Sequence, residues 1–233
     1  MAIVSVGALA LALVVILINQ KPGAASGRLI TPPATYAGAT VNGATLGSAT
    51  APVVLTVWSD FQCPFCGRFV RDQFANLKIQ FVDTGILRIE AHDIDIVGGG
   101  TTNSESIELA TGAGCAAAQG KYWTYHDYVF WNQQGENVGA YNADYIASVA
   151  TASGLDMNAF NDCLKAPTAR AAVINETKAA HQLGVSSTPT WSLNGGAPTS
   201  GVPNASSLAT QIQALAAAAS GSPATAPTAS AAP

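Results

Sequence analysis

Residues 52–69 read PVVLTVWSDFQCPFCGRF, from Pro52 to Phe69, and their reading decides the fold. The first part is a mostly β-branched apolar run, the pattern of a strand buried on both faces. The last part opens a segment, GRFVRDQFANLKIQFV, in which Phe69, Val70, Phe74, Leu77 and Phe81 recur at helical spacing. Cys63 and Cys66 therefore stand where a strand turns into a helix. A second strand is expected in GILRIEAHDIDI from Gly85, completing the order strand, CxxC, helix, strand.

That position has chemical consequences. A cysteine at a helix start faces unpaired backbone N–H groups and the positive end of the helix dipole, which favour thiolate over thiol. Cys63 gains this effect, whereas Cys66, one turn inside, is the more buried of the two. Cys63 is thus expected to attack or be attacked, and Cys66 to resolve the resulting mixed disulfide. Pro64 suits the first helical turn, where its missing N–H costs nothing. Zinc is the chief rival reading of any CxxC, but a tetrahedral site wants four ligands, usually as two close pairs. Cys115 and Cys163 stand alone in sequence, so no metal is expected. An inert staple is a weak reading, because closing so short a loop removes little unfolded-chain entropy.

The whole chain sets the frame. Its 233 residues, 48% of them hydrophobic, are enough for one domain with a real core plus appendages. Charged residues make up 10% and the net charge is −4, so there is no basic surface for nucleic acid. Residues 2–19, AIVSVGALALALVVILIN, carry no charge and nearly match the length of a bilayer-spanning helix, so 1–20 is expected to be a membrane anchor. A cleavable signal peptide, with a small-residue site at Ala24-Ala25, is the alternative. Residues 21–49 are rich in Gly, Ala, Thr and Pro without periodicity and read as a flexible linker. The tail from 220 to 233 has similar composition and reads as disordered. The folded part is expected to span 50–219.

From about 104 to 183 the pattern is helical, with segments expected at 104–119, 121–132, 142–153, 156–164 and 167–183. Asn142, Asp156 and Thr168 read as caps or first-turn residues, and Gly120, Gly154 and Gly184 as stops. A strand and turn follow in TPTWSLNGG, then a closing helix from Asn204. Cys115 and Cys163 both fall in the helical region. Two buried free thiols are one reading. An even cysteine count beside an export segment favours a structural disulfide.

Other residues invite chemistry and lose to plainer readings. His92 and His181 have no nucleophile beside them in sequence. His126 lies on an aromatic-rich stretch with Trp123, Tyr125, Phe130 and Trp131 and reads as a packing residue. The triple glycine of VGGGTTNSES (97–106) lacks the spacing of a nucleotide fingerprint and reads as a flexible loop. Asp60, Glu90, Asp93 and Asp95 are carboxylates on or near the two strands. Each reads first as solvated or capping, with Asp60 the nearest to the cysteines and a candidate proton relay.

Taken together, WSDFQCPFCGRF, AAAQGKYWTYHDYVFWNQ (116–133), AFNDCL (159–164) and HQLGVSSTPTWSLNG (181–195) resemble the DsbA-type thioredoxin-fold thiol–disulfide oxidoreductases, in their membrane-anchored bacterial branch. The likeness covers about 50–215. It implies an α/β thioredoxin fold with a helical insertion, preceded by one N-terminal transmembrane helix. It also implies a cis Thr188–Pro189 bond facing the cysteines, with Thr188, Pro189, Pro64 and Phe65 as substrate-binding residues and the Thr188 backbone free to pair with an extended peptide. A Cys115–Cys163 disulfide is a common feature of that branch. One departure stands out: many thioredoxin-fold proteins carry a buried acid six residues before the first cysteine, and here that position is Val57.

The function this implies is an extracytoplasmic, membrane-tethered oxidoreductase without a cofactor, passing its Cys63–Cys66 disulfide to reduced exported polypeptides. A quinone-linked membrane oxidase, DsbB-like or VKOR-like, would reoxidise it. A reductase or isomerase of the same fold is the first alternative. A non-catalytic binding module or metal carrier is the second.

Overall fold

The computed structural model describes residues 28–33, 36 and 39–221. The expected anchor at 2–19 and the tail from 222 lie outside those residues. Among the described residues no helix is long and apolar enough to cross a membrane.

Strands β1 (Val41–Asn42), β2 (Thr45–Leu46), β3 (Val53–Ser59), β4 (Leu87–Asp93), β5 (Thr190–Leu193) and β6 (Thr199–Ser200) form one sheet in the order β1-β2-β4-β3-β5-β6. β3 pairs parallel with β4, from Val53↔Leu87 to Ser59↔Asp93, and antiparallel with β5, from Leu55↔Leu193 to Trp58↔Thr190. Val53, Leu55, Leu87 and Ile89 are fully buried between these neighbours, as the apolar runs require.

The β3–β4 crossover is helical throughout: α1 (Pro64–Phe69), a widened π-type stretch (Val70–Phe74), α2 (Ala75–Leu77) and a second π-type stretch (Lys78–Val82). It buries Phe69, Val70, Phe74, Leu77, Phe81 and Val82, which includes every position singled out by spacing.

Between β4 and β5 lies the helical insertion: α3 (Glu105–Ala117), α4 (Tyr122–Trp131), α5 (Ala143–Ala152), α6 (Met157–Lys165) and α7 (Pro167–Gln182). Local chemistry explains its boundaries. The side chains of Ser104, Asn142 and Asp156 accept the N–H groups of Ile107, Tyr145 and Ala159, while Pro167 opens α7. α8 (Ala205–Ser220) closes the domain, capped by Asn204 and ended by left-handed Gly221. Cys115 and Cys163 are disulfide-bonded and join α3 to α6.

The linker expectation for 21–49 fails over its described part. β1 and β2 form a hairpin at the sheet edge whose inner strand, β2, pairs antiparallel with β4, and Leu46 is fully buried. Gly47 lets the chain leave β2 close against the start of β4: its φ is 110°, and a Cβ there would lie 2.6 Å from the Leu87 carbonyl oxygen. Further upstream, Ile30 pairs its N–H and C=O with the Asn132 side chain, and the Tyr36 hydroxyl donates to Asp127. Two-residue strands are too short to show alternation, so composition alone concealed them.

Candidate functional site

The carboxyl end of β3 delivers the turn Asp60–Gln62 to the start of α1. Cys63 is the residue before the helix, with extended backbone (φ −66°, ψ 119°), Pro64 is its first residue, and the Gly67 N–H bonds to the Cys63 carbonyl at 3.1 Å. Cys63 and Cys66 are free thiols, Cys66 wholly buried and Cys63 only 5% exposed. Phe65 between them is 55% exposed, with the Arg68 guanidinium 5.3 Å from its ring centre.

The two sulfurs differ in acidity. A hydrogen bond from the Cys66 thiol, aided by the Thr188 side chain and the N–H groups of Cys66 and Phe65, lowers the Cys63 pKa to about 6 against the opposing effect of burial. Burial pushes Cys66 well above the ordinary thiol value, and the Cys63 side chain and charge push it further. Thr188–Pro189 is cis, and the Thr188 carbonyl accepts the Cys63 thiol at 3.2 Å. The structure thus brings Cys63, Cys66 and Thr188 together across 125 residues of chain.

Asp60 is fully buried, so of the two plain readings, solvated or capping, the solvated one fails and the capping one fits. Oδ1 accepts the Gln62 N–H at 2.9 Å and the Ser106 hydroxyl at 2.7 Å; Oδ2 accepts the N–H groups of Ile96 and Val97 at 2.9 and 2.8 Å. Burial raises its pKa, and these four bonds oppose the rise. The bonds tie the turn before Cys63 to α3 and to the loop after β4. That loop contains the triple glycine, and so it has a structural task that its composition did not reveal.

The other carboxylates sit farther along. Asp93 accepts the Tyr122 hydroxyl at 2.9 Å, and burial moves it up to about 6 despite the nearby His126 and His92. Asp95 is buried, its N–H donating to Thr177 and one oxygen accepting the Gly100 N–H, so it too is not solvated. Glu90 pairs with Arg88. His126 is buried among Phe61, Tyr122, Trp123 and Phe130 with Nδ1 on Asp127, a packing residue with a satisfied nitrogen. His92 stacks on Trp58 and pairs with Glu176. Val57, at the position of the missing acid, is core.

Sequence reasoning missed two amides. Gln62 is buried, donates to Ser106 and accepts the Asn137 N–H at 2.7 Å. Gln133, just past α4, donates to the carbonyls of both Phe61 and Cys63. Neither residue type carries a signature for such work, since what each recognises is main chain or a hydroxyl.

Comparison with known proteins agrees with this geometry. A family model described as Thioredoxin matches residues 39–213. A comparison with curated proteins returned no match. Among solved structures, a thioredoxin-like oxidoreductase from Silicibacter pomeroyi is similar with a TM-score of 0.57 and 25% identity, covering 73% of this chain and 88% of its own. Oxidised BdbD from Bacillus subtilis gives 0.66 and 16% identity, covering 82% of this chain and 99% of its own. Alpha-DsbA1 from Wolbachia pipientis gives 0.64 and 20% identity, covering 76% and 92%.

Proposed function

We propose that this chain, which belongs to the thioredoxin family, is a thiol–disulfide oxidoreductase that donates its Cys63–Cys66 disulfide to other proteins. The observation that carries the reading is the placement of two neighbouring free thiols, Cys63 at the opening of α1 with its Sγ on the Thr188 carbonyl before cis Pro189 and Cys66 wholly buried one turn inside. That placement displaces their acidities in opposite directions, Cys63 down and Cys66 up.

The reaction follows from that asymmetry. In the oxidised protein a substrate thiolate attacks Cys63 Sγ; the Cys63–Cys66 bond breaks, a mixed disulfide forms, and Cys66 leaves and takes up a proton. A second substrate thiolate then attacks the substrate sulfur of the mixed disulfide, and Cys63 departs as a thiolate. Two electrons have moved from the substrate dithiol to the pair. Cys63 is a good leaving group because its pKa is low. The competing return step needs Cys66 as a thiolate, and burial, the larger cause of its raised pKa, persists in the mixed disulfide. The balance therefore favours donation.

Thr188 serves the same step. In the reduced protein its carbonyl accepts the Cys63 thiol; once Cys63 is a thiolate or a disulfide that acceptor is released. An extended peptide lying beside Pro189 could then donate an N–H to it, as in strand addition. The exposed Phe65 ring beside Pro64 offers apolar contact at the same rim. Asp60 is the anchor of the turn, and a relay role for it would require one of its four bonds to break.

Localisation and partners complete the reading. Donation suits an oxidising compartment, where the Cys115–Cys163 bond also persists. The apolar segment 2–19 would tether the domain to the outer face of the cytoplasmic membrane, reduced exported polypeptides would be substrates, and a quinone-linked membrane oxidase would restore the disulfide.

Redox titration of the pair in glutathione buffers tests the direction. At pH 7 a Cys63 pKa near 6 instead of about 8.5 stabilises the reduced form by about 1.4 kcal/mol, or about 30 mV. A donor should lie on the oxidising side of thioredoxin's approximately −270 mV. A potential at or below that figure would make the chain a reductase instead.

A further inference from the structure

The side chain of Gln133 lies on the turn that carries Cys63. Its Nε2 donates to the Phe61 carbonyl at 2.8 Å and to the Cys63 carbonyl at 3.0 Å. Its Oε1 accepts Arg71 Nη1 at 3.2 Å, and the same Arg71 nitrogen bonds to the Phe130 carbonyl. The amide is thus held at both ends, with no freedom to flip without losing three partners. α1 leaves room for it by having glycine at position 67: a Cβ there would lie 2.0 Å from Gln133 Oε1 and 2.7 Å from Arg71 Nη1.

The backbone of Gln133 is fixed by its neighbour. Asn132 is buried; its Oδ1 accepts the Ile30 N–H, and its Nδ2 donates to the carbonyls of Ile30 and Tyr128. Its own carbonyl accepts the Tyr145 hydroxyl and the Gln134 side chain. The segment before β1, the insertion and the dithiol turn therefore meet at two consecutive residues.

We propose that Gln133 is a positioning residue for the chemistry of Cys63, locking the Phe61–Cys63 turn so that Sγ stays aligned with the N–H groups at the start of α1. It never touches the sulfur. Its two donors hold the peptide groups on either side of Gln62–Cys63, and rotation there would swing Sγ off the Cys66 and Phe65 N–H groups that stabilise its thiolate. The insertion then completes the thiolate site in addition to covering it. This rests on the dithiol reading above but makes a separate claim, about what sets the acidity of Cys63.

The test is a pH titration of thiolate absorbance at 240 nm on the reduced full chain, comparing wild type with Gln133→Met and Gln133→Glu. Among the described residues the titratable group touching Cys63 is Cys66 on α1; Gln133, just past α4, is bonded to Arg71 of the π-type stretch that follows α1, and the Asp60 carboxylate is taken up by its own bonds. Gln133→Met keeps the length without donors and should move the Cys63 midpoint up by about one pH unit, a tenfold loss of acidity. Gln133→Glu keeps the shape, repels the two carbonyls and adds a negative charge, so its midpoint should rise further. Gly67→Ala, which displaces the amide from the other side, should act in the same direction as Gln133→Met. Midpoints within about 0.2 of wild type in folded Met and Glu variants would overturn the proposal. Loss of fold in both would overturn it too, by making Gln133 a residue of stability rather than of the thiol. A wild type that titrates low yet oxidises and reduces nothing would defeat the function and leave this inference standing.

Discussion

Cys63 Sγ donates a hydrogen bond to the carbonyl oxygen of Thr188 at 3.2 Å, although 125 residues separate them. The bond can exist only while Cys63 is protonated. The Cys66 thiol, the Thr188 side chain and the first-turn N–H groups favour the opposite state, and their combined effect wins.

Alkylation of the reduced protein by iodoacetamide should therefore rise with a midpoint at about pH 6. The same shift governs stability. Cys63 has a lower pKa folded than unfolded, so its contribution is fully present above the ordinary thiol value of about 8.5 and is lost as pH falls through about 6. Urea unfolding of reduced wild type and of Cys63→Ala between pH 5 and about 8 should diverge with rising pH, by about 1.4 kcal/mol at pH 7. A constant difference would contradict the lowered pKa.

Asp60→Asn replaces an acceptor of four bonds with a group that has one acceptor and an NH2 facing N–H donors. A loss of about 1–3 kcal/mol in unfolding free energy is expected, because buried donors are left unpaired. Unchanged stability, with altered pH dependence of mixed-disulfide resolution by Cys66, would point to proton transfer instead of anchoring.

Opening the α3–α6 link in a Cys115→Ser, Cys163→Ser double variant releases a loop with a sequence separation of 48. The chain-entropy account gives roughly 4 kcal/mol as the largest loss. Thermal melting should drop accordingly while the Cys63 alkylation midpoint stays in place; a moved midpoint would mean that the link also shapes the site.

A fragment beginning at residue 50 should be far less stable than one beginning at residue 28. It loses two strands and uncovers the pocket of Leu46, whose burial alone is worth about 1.5–3 kcal/mol. Equal denaturation midpoints would mean that the hairpin rests on the sheet without supporting it.

How much of this was legible in the sequence depended on the range of the signal. β3, the helical crossover and the five insertion helices were readable because a β-branched run, a 3.6-residue period and Ser, Asn, Asp, Pro and Gly punctuation act within a few residues. Cys63 and Cys66 were readable for the same reason. The Thr188–Pro189 pairing came through only by likeness to a family, since STPT by itself is an ordinary turn. The burial of Asp60 was hidden, because two of its partners are the main-chain N–H groups of Ile96 and Val97, and main chain leaves no mark on composition. Gln133 was hidden likewise, recognising two carbonyls some seventy residues upstream. The hairpin at 41–46 was too short to show any period.

The distance between residues 63 and 188 also sets a schedule. Synthesis runs from the amino end, so the two reactive cysteines leave the ribosome well before Gln133 and Thr188 do. Until those later residues have folded back, the helix start lacks its Gln133 and Thr188 partners and Cys63 behaves as the thiol of an unfolded chain, mostly protonated at neutral pH. Reactivity is thus withheld during synthesis and switched on by completion of the fold, which keeps the nascent thiol from premature exchange with its neighbours.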